Sequence, residues 1–166
     1  QLRAENKLTI RVYEQAQLPT LKALKEFINL GYCTGSGDEF FKIGPLKMLG
    51  DGSLGARTAF LSKPYYDAPK TRGIPVFSRE EIKMMFDYAN RHEMQIAIHA
   101  IGDGILDWIF EGYKNALKNY SREDPRHGIV HCQITREDRL LKYQQLHLHA
   151  YIQSVFLDYD NHIINQ

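Results

Sequence analysis

Only two cysteines, Cys33 and Cys132, occur in the 166 residues of the chain. Two thiols cannot build a disulfide framework, and they fit a reducing cytoplasm. An excess of one charge is missing too: 21 Lys and Arg stand against 20 Asp and Glu, a formal net charge of +1, and no block of like charge occurs. This balance leaves no electrostatic footprint for nucleic acid or an anionic membrane surface. Apolar runs last only a few residues, so no segment is expected to span a bilayer. The polar start Gln1-Leu2-Arg3-Ala4-Glu5 lacks the pattern of a signal peptide. With 43% hydrophobic and 25% charged residues, the composition predicts one soluble globular unit covering 1–166, without internal repeats or low-complexity tracts.

Helical periodicity recurs along the chain. Between Pro19 and Gly31 the residues Leu21, Leu24, Phe27 and Ile28 fall at three- and four-residue spacing. Ser78-Arg79-Glu80-Glu81 reads as a capping box, followed by an apolar stripe of Ile82, Met85, Phe86 and Ala89. A third helix is predicted from about Gly104 to Asn119, with Ile105, Ile109, Phe110, Tyr113 and Leu117 inward. A fourth is predicted to open at Thr135 and to carry Leu140 and Leu141. Between them lie β-rich runs at Leu8–Tyr13, Phe41–Met48, Gln95–His99, Gly128–His131 and Ala150–Phe156. Strand alternating with helix predicts an α/β fold, a parallel sheet with helical crossovers. Leu49 to Phe77 is far longer than an ordinary βα loop, and its Gly50-Asp51-Gly52-Ser53-Leu54-Gly55 turn chemistry favours an ordered active-site element over disorder.

Three residues stand out for their chemistry. His99 closes the apolar run Ile96-Ala97-Ile98 before Gly102-Asp103-Gly104 turns into a helix, which places its imidazole at the carboxyl end of a strand, where parallel α/β folds bind ligands. His131 closes Gly128-Ile129-Val130 in the same way, 32 positions later, close to one βα period. Two neutral imidazoles on neighbouring strand ends suit zinc or a similar divalent ion. Lys47, near the end of a buried strand, is costly as a cation unless paired. Neutral, it can add carbon dioxide to form an anionic carbamate; the plain alternative is a lysine that snorkels to water, the role Lys42 fits better. His127, at the other end of the His131 strand, reads as structural. His147-Leu148-His149 has metal-pair spacing but precedes its strand and should lie at the wrong end. Cys132 should face away from His131, as adjacent strand residues do.

Taken together, Lys47 with Asp51-Gly52-Ser53-Leu54-Gly55-Ala56-Arg57-Thr58-Ala59, then His99-Ala100-Ile101-Gly102-Asp103, then Arg126-His127 and His131-x-Gln133, resemble the YtcJ-like branch of the metal-dependent amidohydrolases. The resemblance runs from about Arg11 to Asp160. It implies a (β/α)8 TIM barrel holding one or two divalent ions, usually zinc, and hydrolysis of non-peptide carbon–nitrogen bonds in a small amide-type substrate by metal-activated water. It further implies that Lys47 is a carbamylated bridging ligand on the fourth barrel strand, His99 the ligand on the fifth and His131 the ligand on the sixth. Asp51, Ser53 and Arg57 would belong to the loop over the site, and Asp103 and Gln133 would orient the histidines.

The family's amino-terminal His-x-His and its eighth-strand aspartate have no counterpart in 1–166, and Gln153-Ser154 stands where the family has Gln-Pro. A full barrel takes about 250 residues. The expectation is therefore an internal segment, about strands three to seven, of a hydrolase whose isolated piece is inactive. The alternative is a non-catalytic α/β binding or regulatory module that retains barrel motifs. The unpaired sheet edges and uncovered apolar face of a partial barrel predict a homo-oligomer.

Overall fold

Five parallel strands follow one another across a single sheet in chain order, each joined to the next by a helix or a helix with a long loop. The computed structural model describes residues 2–5, 7–156 and 158. Within them the elements are β1 (Val12–Gln17), α1 (Leu21–Asn29), β2 (Phe41–Leu49), α2 (Arg79–Arg91), β3 (Ile96–Ala100), α3 (Asp103–Asn119), β4 (Gly128–His131), α4 (Glu137–Gln145) and β5 (His149–Ile152). The sheet order is β1-β2-β3-β4-β5. A doubly wound sheet reverses its order at a switch point, whereas an arc of a (β/α)8 barrel steps monotonically. The observed order is that of a partial barrel.

Local sequence explains most of the elements. Thr20 caps α1 by accepting from the Ala23 amide, and Ser78 and Glu81 form the expected capping box at α2. The stripes of α2 and α3 pack Ile82, Met85, Phe86, Ile105, Ile109 and Tyr113 against Leu46, Met48, Ile96, Ile98 and Ile129 of the strands. Fully burying each such side chain contributes about 1.5–3 kcal/mol. Because strand residues alternate, the neighbours Lys47, Ala97 and His99 fall on the opposite face, with Lys47 paired to Ala97 and Leu49 to His99.

Three boundaries differ from the sequence expectation. β1 is Val12–Gln17 instead of Leu8–Tyr13, because pairing to β2 rather than apolar content selects the segment. β5 ends at Ile152, well before Phe156. The fourth helix begins after Arg136 with no side-chain cap, since Thr135 Oγ1 instead donates to the Cys132 carbonyl. Leu140 and Leu141 are exposed, and Arg139 and Lys142 tie α4 to Asp107 of α3 by ion pairs.

The amino end of the sheet is closed by polar side chains. Tyr13 Oη donates to Gln95 Oε1 at 3.1 Å, and Gln95 Nε2 lies 3.2 Å from Tyr151 Oη. Beneath the helices, His127 is wholly buried. Its Nδ1 accepts from the Ile96 amide at 3.1 Å and its Nε2 meets Asn90 Oδ1 at 3.0 Å. Asn90 Nδ2 in turn donates to the carbonyls of Ala116 and Tyr120. His127 thus joins β3, α2 and α3, the structural role its position suggested.

Candidate functional site

The carboxyl ends of β2, β3 and β4 bring Lys47, His99 and His131 toward one region. The rings of His99 and His131 meet edge to face with centroids 4.7 Å apart. Simple alternation does not achieve this. His131 pairs with Ala100, a core residue, in the β3–β4 register, so regular pleating would turn it toward the helices. A left-handed φ of 76° at His131, followed by 50° at Cys132, breaks the pleat and swings the ring to the His99 face. Such backbone is costly for non-glycine residues and concentrates at functional sites. Cys132 Sγ points the other way and donates to the Ile129 carbonyl, as expected.

Each imidazole has an oxygen facing its Nδ1. His131 Nδ1 is held by Gln153 Oε1; because that oxygen can only accept, Nδ1 carries the proton and Nε2 keeps its lone pair. Burial, then the nearby His99, lowers the His131 pKa, and Lys47 adds to the effect against the Gln153 bond. The imidazole is neutral at neutral pH, the form that ligates metals. His99 Nδ1 lies 3.1 Å from Asp51 Oδ1, with side chains 13% and 0% exposed, but outside hydrogen-bond alignment. Lys47 is half-buried, and desolvation lowers its pKa, which moves it toward the neutral amine that carbamate formation needs.

The two-histidine arrangement fits a divalent ion by donor chemistry, with one lone pair available on His131 Nε2 and a neighbouring ring on the adjacent strand. His, Cys, Asp and Glu alone do not gather in a group of three among the described residues. Lys47 lies on the same face as His99 and would add an oxygen donor only as a carbamate.

The long loop 50–77 is ordered and docked. Asp51, expected over the site, is instead buried beneath the loop. Its Oδ2 accepts from the amides of Phe60 and Gly102 at 2.9 and 2.8 Å, and its Oδ1 from Ile101 at 3.0 Å. The Phe60 carbonyl receives the amides of Gly104 and Ile105 at the start of α3. A Cβ at Gly102 would stand 2.1 Å from that carbonyl, so only glycine allows the contact. Ser53 is exposed and its carbonyl receives the amides of Thr58 and Ala59. Arg57 is paired with Asp67 and donates to the carbonyls of Leu54 and Gly55.

Asp103 was expected to orient a histidine, and its bonds go elsewhere. It accepts from the Ser62 amide and hydroxyl and from Arg136 at 2.9 Å. Burial alone would raise its pKa, but these bonds outweigh it and hold the carboxyl below its ordinary range. As the first residue of α3 its side chain projects outward over the loop, not back into the sheet. Gln133 lines a cavity beside His131, together with Ile152, Gln153 and Phe156. The contacts at the two Nδ1 atoms are Gln153 Oε1 at His131 and Asp51 Oδ1, at 3.1 Å without hydrogen-bond alignment, at His99. The sequence marked Gln153 only as the first residue of Gln153-Ser154 at the family's Gln-Pro position, within the expected strand Ala150–Phe156; nothing in its spacing announced the contact. His147 and His149 lie at the amino end of β5, His149 pairing with Gly128, away from the site.

Comparison with known proteins agrees with this layout. The amidohydrolase family model matches residues 1–166. The chain is 35% identical over 96 residues to the Bacillus subtilis (strain 168) protein named "Putative amidohydrolase YtcJ", covering 57% of this chain and 17% of that one. It is 32% identical over 115 residues to the Arabidopsis thaliana "Protein LONG AFTER FAR-RED 3", covering 69% and 20%. Among solved structures, an uncharacterized metal-dependent hydrolase from Pyrococcus furiosus superposes with a TM-score of 0.84 at 30% identity, covering 99% of this chain and 33% of that one. The chain spans about a fifth of the curated relatives' length. With a matching family model along its whole length and the strand-end residues in place, this chain belongs to the amidohydrolase family.

Proposed function

We propose that these strands are the ligand-bearing centre of a metal-dependent hydrolase of non-peptide carbon–nitrogen bonds in small amides. The observation that carries the reading is the convergence of His99 and His131, achieved against the strand's own alternation by left-handed backbone at His131. Backbone strain of this kind clusters at functional sites.

In this reading His99 and His131 would hold a divalent ion, zinc by their donor chemistry, and Lys47, as a carbamate, would add an oxygen ligand. The ion, when bound, supplies Lewis acidity to the amide carbonyl and lowers the pKa of the attacking water. The chain's own groups prepare that site. Gln153 keeps the His131 proton on Nδ1, and partial burial favours the uncharged Lys47 that can accept carbon dioxide. No proton-accepting aspartate corresponding to the family's eighth-strand residue occurs in 1–166, so the isolated chain does not turn over. Small amides are the substrates, and association with a second copy through the β1 and β5 edges shields unpaired backbone groups.

The test is metal content and turnover together. Purified chain incubated with zinc and bicarbonate should retain zinc after dialysis, while His99→Ala and His131→Ala should not, and none should hydrolyse simple formamides. Zinc retention unchanged in both variants would overturn the site; metal-dependent turnover by the 166-residue chain would overturn its inactivity.

A further inference from the structure

Asp51 touches the His99 strand end and the long loop at once. A carboxylate offers about four lone-pair positions. Three are used here: Oδ2 by the Phe60 and Gly102 amides, Oδ1 by the Ile101 amide. The fourth lies on Oδ1, the atom 3.1 Å from His99 Nδ1. That nitrogen is itself buried without a hydrogen-bond partner. An unused acceptor position and an unpartnered donor therefore face each other across hydrogen-bond distance, in a place where an unmade bond is expensive.

We propose that Asp51 is a positioning residue that holds the Nδ1–H of His99, directing Nε2 to the site, and simultaneously pins the 50–77 loop through Phe60. Loop order and ligand orientation are then one coupled unit. The coupling is reciprocal: whatever fixes the ring steadies the loop, and loop opening releases the ring. The proposal rests on the metal reading above only for calling His99 a ligand; the latch itself involves no metal.

The experiment uses the metal-free, 15N-labelled 166-residue chain. Long-range proton–nitrogen correlation reads which His99 nitrogen carries the proton. Amide exchange is followed at Phe60, Ile101 and Gly102, with the α2 amides as an internal reference, in wild type, His99→Leu and His99→Asn. Leucine keeps bulk and removes the donor; the asparagine Nδ2 stands close to where Nδ1 was. The latch predicts a proton on Nδ1, exchange at the three amides faster by about tenfold in His99→Leu, and protection largely restored in His99→Asn, with α2 unaffected. A proton on Nε2, or equal exchange in wild type and His99→Leu, overturns it. So does His99→Asn exchanging as fast as His99→Leu. Zinc retention, measured separately, decides the metal reading independently of these results.

Discussion

Acid should destabilise the protein through His127 well before its carboxylates protonate. Its Nδ1 accepts from the Ile96 amide and its Nε2 donates to Asn90, so a second proton has no acceptor to meet. Burial, with a smaller contribution from Arg122, pushes the His127 pKa down to about 3. In the unfolded chain it titrates at about 6.5. A depressed folded-state pKa means that the stability tied to the neutral ring is fully present above the unfolded value and is lost as pH falls toward the folded one. Between those values the unfolded state binds the extra proton, and stability declines by about 1.4 kcal/mol per pH unit. From pH 7 to pH 5 the loss is about 2 kcal/mol from this residue alone, and down to pH 3 it reaches about 4 kcal/mol. His131, also depressed by burial, acts in the same direction, so the measurement is a difference between chains. Urea denaturation of wild type and His127→Gln at pH 7 and pH 5 isolates the residue. The variant should be less stable at pH 7 yet lose about 2 kcal/mol less on acidification. Equal losses in both chains would refute the reasoning.

Gln153→Leu, which keeps size and removes the Oε1 acceptor on His131, should weaken zinc binding by about 10- to 100-fold in equilibrium dialysis with little change in the urea midpoint. Gly102→Ala, whose methyl would stand 2.1 Å from the Phe60 carbonyl, should cost about 2 kcal/mol in urea denaturation and raise proteolytic cleavage within 50–77. Ser78→Ala removes one half of the α2 capping box and should cost about 1 kcal/mol, without effect on zinc binding.

How much of this was written in the sequence depends on whether local or tertiary forces set each feature. α2 and α3 were legible because a capping box and a single apolar stripe are local signals, and the strand-end positions of His99 and His131 followed from where apolar runs stop and glycine turns begin. β1 was misplaced because its polar residues Glu14, Gln15 and Gln17 belong to a strand chosen by its partner, not by its own hydrophobicity. The meeting of the two histidines could be guessed from one βα period, but the left-handed backbone that produces it at His131 leaves no mark in composition, since neither His131 nor Cys132 is glycine. Asp51 and Asp103 show the same limit. Both sit in turn motifs with obvious specificity, yet which of them reaches a histidine is decided by how the 50–77 loop folds back onto α3, a contact over 41 residues between Ser62 and Asp103.

Zinc-edge X-ray absorption on the zinc- and bicarbonate-loaded chain tests the central claim most directly. The account predicts two imidazole nitrogens at about 2.0–2.1 Å with the remaining first-sphere scattering from oxygen, and no zinc retained for measurement in His131→Ala. A sphere containing sulfur from Cys132 at about 2.3 Å, or one without imidazole scattering, would contradict it.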